Sequence, residues 1–270
     1  MRRAVLVVID DPCTTHAGRW CAAAGRVGVP VASIHDLGLG LCESDLLIDG
    51  SVARNDRLEG RRHALIGPRF AILDPALRHG RGLAAGTDAH HRVLIALGGG
   101  RRALLAGRLA RRIVGRRPDV HVAIAGGLEA GHAVRTHARI EWLRPSRGLA
   151  DALASTTLAI VGGGVTTYEV CGLGVAAVSV AVVAAQRPTV RAFAEAGAVL
   201  DGGTLPRSRV PVATLDHLVD LAVGALDDEP ARRALSRAGR AIVDGRGAER
   251  VADRLRRILA AAASPSAEAA

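Results

Sequence analysis

The stretch Ile160–Gly174, IVGGGVTTYEVCGLG, gathers the residue types of this chain best suited to holding an anion. A strand that ends in glycine and turns into a helix leaves the first helical N–H groups unpaired and aimed at the turn. The helix dipole adds partial positive charge there, and a phosphate fits that place. Glycine lets a ligand approach the backbone with no Cβ between. The candidate contacts are Gly162, Gly163, Gly164, Val165, Thr166 and Thr167. A second run, Gly98, Gly99 and Gly100, follows the apolar stretch RVLIAL, and Gly126–Gly127 follows VHVAIA. Two such loops face to face would hold a diphosphate. The competing reading is that the glycines only serve tight strand-to-helix turns and close packing.

Glu169 also has two readings. Thr166-Thr167-Tyr168-Glu169 fits the capping-box pattern, with Thr166 as cap and Glu169 bonding back to its N–H. Alternatively, the two carboxylate oxygens accept both hydroxyls of a ribose. The common nucleotide fingerprints are missing. GGGRRALLAG lacks the lysine and hydroxyl of a P-loop. GGGVTTYEVCGLG does not place its glycines as GxGxxG, and no acidic residue ends the next strand.

The elements that must position these loops alternate. Strands are expected at 92–97, 120–125, 138–142, 158–161, 175–182 and 198–200. Helices are expected at 101–116, 148–155, from about Thr167, 187–196, 214–226, 230–242 and 247–262. Alternation of this kind predicts a parallel sheet covered on both faces, with ligand beyond the carboxyl ends of the strands. The first third offers four strands (AVLVVID, VPVASIHD, DLLIDG, HALIGPRFAIL) but one good helix, near 15–25. The expected organisation is a partial N-terminal α/β domain (1–85), a C-terminal domain (86–262) and a disordered tail (263–270), with 78–90 as linker. One face of the small sheet is then left open, which predicts a partner chain or homodimer covering it.

Composition excludes several classes. The 270 residues are 49% hydrophobic, yet no apolar run approaches the roughly 18 residues of a membrane span, so a soluble, cytoplasmic protein is expected. The net charge of +10 invites nucleic acid. However, all 36 basic residues are arginine, and two Trp, one Tyr and two Phe are too few for a stacking surface. The arginines of RRALLAGRLARRIVGRR read as a solvated helix face. Cys13, Cys21, Cys42 and Cys171 form no CxxC and have no histidine at zinc spacing. They read as free thiols, and no metal or cofactor is expected. Asp88–His91 reads as a linker tip.

The series DLLIDGS…HALIGPRFAILDP, VLIALGGG, LADALASTTLAIVGGGVTTYEVCGLGVAAVSVAVVAAQ and ARRALSRAGRAIVDGRGAERVADRL resembles the UDP-2,4-diacetamido-2,4,6-trideoxy-β-L-altropyranose hydrolases of pseudaminic acid biosynthesis. Related spore-coat polysaccharide proteins share the pattern. The resemblance spans residues 4 to 258. It implies an α/β, GT-B-like fold, similar to that of the peptidoglycan N-acetylglucosaminyltransferase, with a complete C-terminal Rossmann-like domain. It implies a UDP-sugar partner, with Gly162 to Thr167 on the diphosphate and Glu169 on the ribose. Gln186 then faces the phosphate–sugar end, Gly98 to Gly100 face the interdomain cleft, and backbone near Ile140 to Trp142 holds the uracil. The implied reaction is water attack at the anomeric carbon with release of UDP. A noncatalytic UDP-sugar module and a glycosyltransferase are the alternatives.

Two features of the pattern are missing. Such proteins open with a glycine-rich, histidine-bearing loop near GxGHxxR, which has no counterpart here, so the N-terminal domain is expected to start about halfway through. The asparagine that precedes the glutamine is Ala185 in this chain. No catalytic residue is assigned. His16 matches no motif. His35–Asp36 is either a base with its orienting carboxylate or a structural strand-end pair.

Overall fold

The computed structural model describes all residues except 1–4, 38–40, 54–55, 59, 62, 79–90, 99–101, 127–136, 144–147, 207–208 and 264–270. Contacts divide the chain into two compact units: Met1–Ile72 with Arg246–Ala270, and Leu73–Gly245. The sequence placed the break near residue 85 and the last helix with the second unit. The described break lies earlier, and the chain returns to its first unit at Arg246. Most of the expected linker and tail fall outside the described residues.

In the first unit, β1 (Val7–Asp10), β2 (Val31–His35), β3 (Leu46–Asp49) and β4 (Ala64–Ile66) form a parallel sheet in that order. Helix α1 (Thr14–Arg26) connects β1 to β2. Alternate residues of β2 point to opposite faces. Val31 packs with Ile9, Ala17 and Ala24 on the α1 side. Ala32 and Ile34 pack with Leu46, Ile48, Leu65 and Phe70 on the other side.

That second face is covered by the end of the same chain. Helix α8 (Gly247–Ala263) lays Val251, Leu255 and Ile258 on it, the spacing of one helical face. Its start fits closely: a Cβ on Gly247 would lie 2.0 Å from the Ala71 carbonyl oxygen. Arg250 Nη1 donates to the Arg69 carbonyl at 2.9 Å. The expected partner chain over an open sheet face is therefore replaced by α8.

In the second unit six parallel strands run in the order β10-β9-β8-β5-β6-β7. They are β5 (Arg92–Ala96), β6 (His121–Ala125), β7 (Ile140–Leu143), β8 (Leu158–Gly162), β9 (Ala176–Ala181) and β10 (Leu200–Thr204). Strands β8 and β9 are buried along their whole length. This explains their nearly continuous apolar runs, broken only by Ser179, since helices cover both faces. Helices α2 (Arg102–Arg116) and α6 (Val212–Asp227) bury Leu105, Leu109, Ile113, Leu215 and Leu218 against Val93, Ile95, Val122, Ile160 and Val178. Between β7 and β10 lie α3 (Ala150–Ala154), α4 (Val165–Leu173) and α5 (Arg187–Glu195), and α7 (Glu229–Ile242) follows α6.

The arginine-rich face of α2 is paired as well as solvated. Arg112 meets Asp216 at 3.0 Å, Arg116 meets Asp220, and Arg117 meets both Asp119 and Asp227. Asp119 is held down at about 2, first by its bond from Arg117. Two of this helix's cations, and Arg117 just after it, thus face aspartates of the same unit.

Candidate functional site

The strand order itself locates the site. Chain order leaves β5 toward β6 and β7 on one side, then returns to β8, β9 and β10 on the other. The reversal falls between β5 and β8, which are hydrogen-bonded neighbours from Val93↔Leu158 to Ala96↔Val161. Loops leaving the carboxyl ends of such a pair diverge and open a crevice, where open α/β sheets bind ligands. Gly98 lies just beyond β5, and Gly162–Gly164 end β8. Gly99 and Gly100 lie outside the described residues.

Helix α4 starts at Val165 with Gly164 as N-cap, and no side chain caps it. The capping-box expectation is corrected here: Thr166 lies inside the first turn, because the glycine pair completes the turn two residues earlier. The Thr166 hydroxyl instead bonds the Glu169 carboxylate. Burial, then the charge of Asp74, pushes Glu169 above the usual carboxylate range, with Thr166 pulling the other way. Thr167 is turned inward. Its fully buried hydroxyl meets the Gly162 carbonyl at 3.0 Å and Ser179 Oγ at 2.8 Å, tying α4 to β8 and β9. Its side chain is thereby spent on structure, whereas Val165, 61% exposed, stands at the helix start.

Both readings of the glycines have support. A Cβ on Gly163 would meet Val190 Cγ2 at 2.4 Å and Gln186 Cβ at 3.2 Å, so close packing alone demands glycine there. A Cβ on Gly164 would meet only Gln186 Nε2, at 3.2 Å. The Gln186 amide thus lies against the uncapped helix start. Its Oε1 accepts the Val182 N–H at 2.9 Å, which fixes the side chain over the loop. The other end of Val182 is held too: the Arg102 guanidinium donates to its carbonyl. Arg102 therefore reaches from the start of α2 to the end of β9, along the carboxyl edge of the sheet. The sequence reading passed over it among many arginines. Its position just after a glycine run that ends a strand was the available signal.

The remaining predicted residues divide. Ile140 and Trp142 lie on the edge strand β7, and their side chains pack against the main core, leaving the backbone as what they could offer a base. Ile140 starts β7, at the amino end of the sheet, two residues farther from the glycine edge than Trp142. In the first unit His35 and Asp36 have different partners. His35 is buried with Nε2 2.8 Å from Ser33 Oγ, whereas Asp36 accepts from Ser51 Oγ at 3.3 Å. Burial, and then the charge of Asp49, raises Asp36 above its ordinary value. Asp49, fully buried, also receives the Ser51 N–H. No group of three or more His, Cys, Asp or Glu suited to a metal occurs among the described residues. Among the same residues no helix is long and apolar enough to cross a membrane.

Comparison with known proteins bears on the fold. No family model matches the chain. It is 27% identical over 219 residues to the spore coat polysaccharide biosynthesis protein SpsG of Bacillus subtilis (strain 168), covering 77% of this chain and 63% of that protein. The chain thus spans less than two thirds of that relative. Solved structures superpose over nearly all of it. The UDP-GlcNAc 2-epimerase from Neisseria meningitidis bound to UDP-GlcNAc matches with a TM-score of 0.65 at 13% identity, over 93% of this chain and 76% of that one. The fold is GT-B-like. The spinosyn rhamnosyltransferase SpnG matches with a TM-score of 0.62 at 19% identity, over 94% and 73%. At these identities the likeness establishes the fold and leaves the ligand to the residues.

Proposed function

We propose that the chain binds a UDP-sugar on its second unit and serves surface-polysaccharide biosynthesis. The observation that carries this is the convergence at the β5/β8 reversal. An uncapped helix start, the Arg102 guanidinium and the Gln186 amide are set out along one glycine-lined edge, and the half-buried Glu169 carboxylate lies one turn into the same helix. The diphosphate lies on Gly163, Gly164, Val165 and Thr166, with Gly98 opposite. Glu169 receives the ribose hydroxyls, the backbone from Ile140 to Trp142 takes the base, and Gln186 faces the sugar. Similarity to a spore coat polysaccharide biosynthesis protein supports the biosynthetic role, and similarity to an epimerase bound to UDP-GlcNAc supports the ligand class.

The proposed reaction is hydrolysis of the nucleotide sugar: water attacks the anomeric carbon and UDP departs toward the helix start and Arg102, which stabilise its charge. A binding role without turnover is the second reading. It is favoured by Ala185 in place of the asparagine. Titration calorimetry with UDP and UMP tests binding. UDP binds the wild type, and Arg102→Ala weakens UDP about tenfold or more, in line with the loss of a charge-assisted hydrogen bond. Equal affinity of the wild type and Arg102→Ala for UDP overturns the site. Release of UDP from a panel of UDP-sugars then separates turnover from binding.

A further inference from the structure

A pair of thiols in the first unit has no part in that site. Cys21, on α1, and Cys42, in the connection from β2 to β3, lie 21 residues apart in sequence with their sulfurs 2.7 Å apart. A disulfide bond is roughly 2.0 Å long, so the two sulfurs need to close by well under an ångström. Both side chains pack on the small cluster of Ile9, Ala17, Ala24 and Val31 that joins α1 to the sheet. Beside them is a hollow of about 650 Å³, lined among others by Thr14, Gly18, Ala22 and Asp45. The small residues on this side of α1 leave room for a reagent of peptide size to reach the sulfurs. The other two cysteines differ: Cys13 is exposed at the start of α1, and Cys171 is buried in the second unit.

We propose that Cys21 and Cys42 are a dithiol that oxidises to an intramolecular disulfide, fastening α1 to the β2–β3 connection. With glutathione disulfide as oxidant, the step balances. One cysteine thiolate attacks a glutathione sulfur, and one glutathione leaves as its thiolate and takes up a proton. The second cysteine then attacks the protein-bound sulfur and expels the second glutathione. The S–S bond of the oxidant breaks, the protein S–S bond forms, and two electrons pass from the dithiol to glutathione. Exchange requires a thiolate. Burial, then the neighbouring Cys42 thiol, pushes Cys21 up to about 12. Attack by Cys21 is therefore slow at neutral pH and quickens in alkaline buffer.

Peptide mapping of the full chain tests this without any substitution in the pair. The protein is incubated with excess glutathione disulfide, free thiols are alkylated, and trypsin cuts after Arg19, Arg26 and Arg54. The expected product joins peptides 20–26 and 27–54, loses two hydrogens in mass and is reversed by dithiothreitol. Native-state hydrogen exchange along α1 slows in the oxidised form. A Cys13→Ser variant, which lacks the exposed thiol, gives the same crosslink. Recovery of the two peptides separately, alkylated or each carrying glutathione, overturns the bond. A crosslink with unchanged exchange along α1 overturns the fastening.

Discussion

The two units solve the covering of a parallel sheet differently. The second unit places helices from successive crossovers on both faces of six strands, using residues contiguous from Leu73 to Gly245. The first has four strands, and one helix between β1 and β2; the cover for its other face comes from α8, more than 170 residues downstream of β4. Sheet burial is needed in both, because two-sided parallel strands expose apolar surface on either face. The difference is that one unit carries its own cover and the other depends on a distant segment. Each also keeps a carboxylate raised by burial, Glu169 in one and Asp36 in the other.

The strongest way to break this comparison is to end the chain at Gly245. The first unit then loses Val251, Leu255 and Ile258 from its sheet. The expected outcome is loss of its cooperative unfolding transition and binding of a hydrophobic dye, while the second unit still melts as a unit. A truncated chain whose first unit melts normally would remove the claimed dependence. Next in size is a change confined to the self-covered unit. Phe193 is fully buried on α5 and meets Tyr168 edge-to-face, with ring centroids 4.9 Å apart. Phe193→Ala should cost about 3–5 kcal/mol in urea unfolding and leave the first unit's transition in place.

Glu169→Gln sharpens the comparison at the site. The folded-state pKa of Glu169 is raised, so the folded protein holds that proton to higher pH than the unfolded chain does. The wild type is therefore relatively most stable below the ordinary carboxylate range and loses stability as pH rises through the raised value. The variant should show a flatter decline and a higher Tm at neutral pH, with UDP affinity weaker by about tenfold. A lower Tm with unchanged UDP affinity would reduce Glu169 to a structural partner of Thr166. Asp36→Asn should flatten the pH profile in the same direction, through the first unit. The smallest expected effect is Arg112→Ala. Its ion pair with Asp216 is between half-exposed side chains, so thermal unfolding should register under about 1 kcal/mol.

Most elements were legible because their signal is local. The apolar runs of β5, β8 and β9 and the amphipathic patterns of α2 and α6 to α8 stand close to where the sequence put them. The glycine run after Val161 marked the edge on which the ligand reading rests. What sequence could not show is pairing at a distance. The pattern of α8 declares an apolar face but not the sheet that receives it, so the helix was assigned to its neighbours in sequence. Cys21 and Cys42 match no spacing motif, and only the packing of α1 against the β2–β3 connection joins them. The capping box failed for a local reason. Thr-x-x-Glu fits the pattern, but Gly163 and Gly164 had already made the turn. Arg102 was hidden by abundance, because a chain rich in arginine gives no single one prominence.

The route of α8 back to the first sheet also sets an order in time. A chain leaves the ribosome from its first residue, and domains fold as their segments emerge. The second unit has all its strands and helices once Gly245 is out. The first unit's sheet, made before the second unit, waits with Ala32, Ile34, Leu46 and Ile48 uncovered until α8 is released. Of these two units, the one whose strands emerge first is therefore the later to be completed.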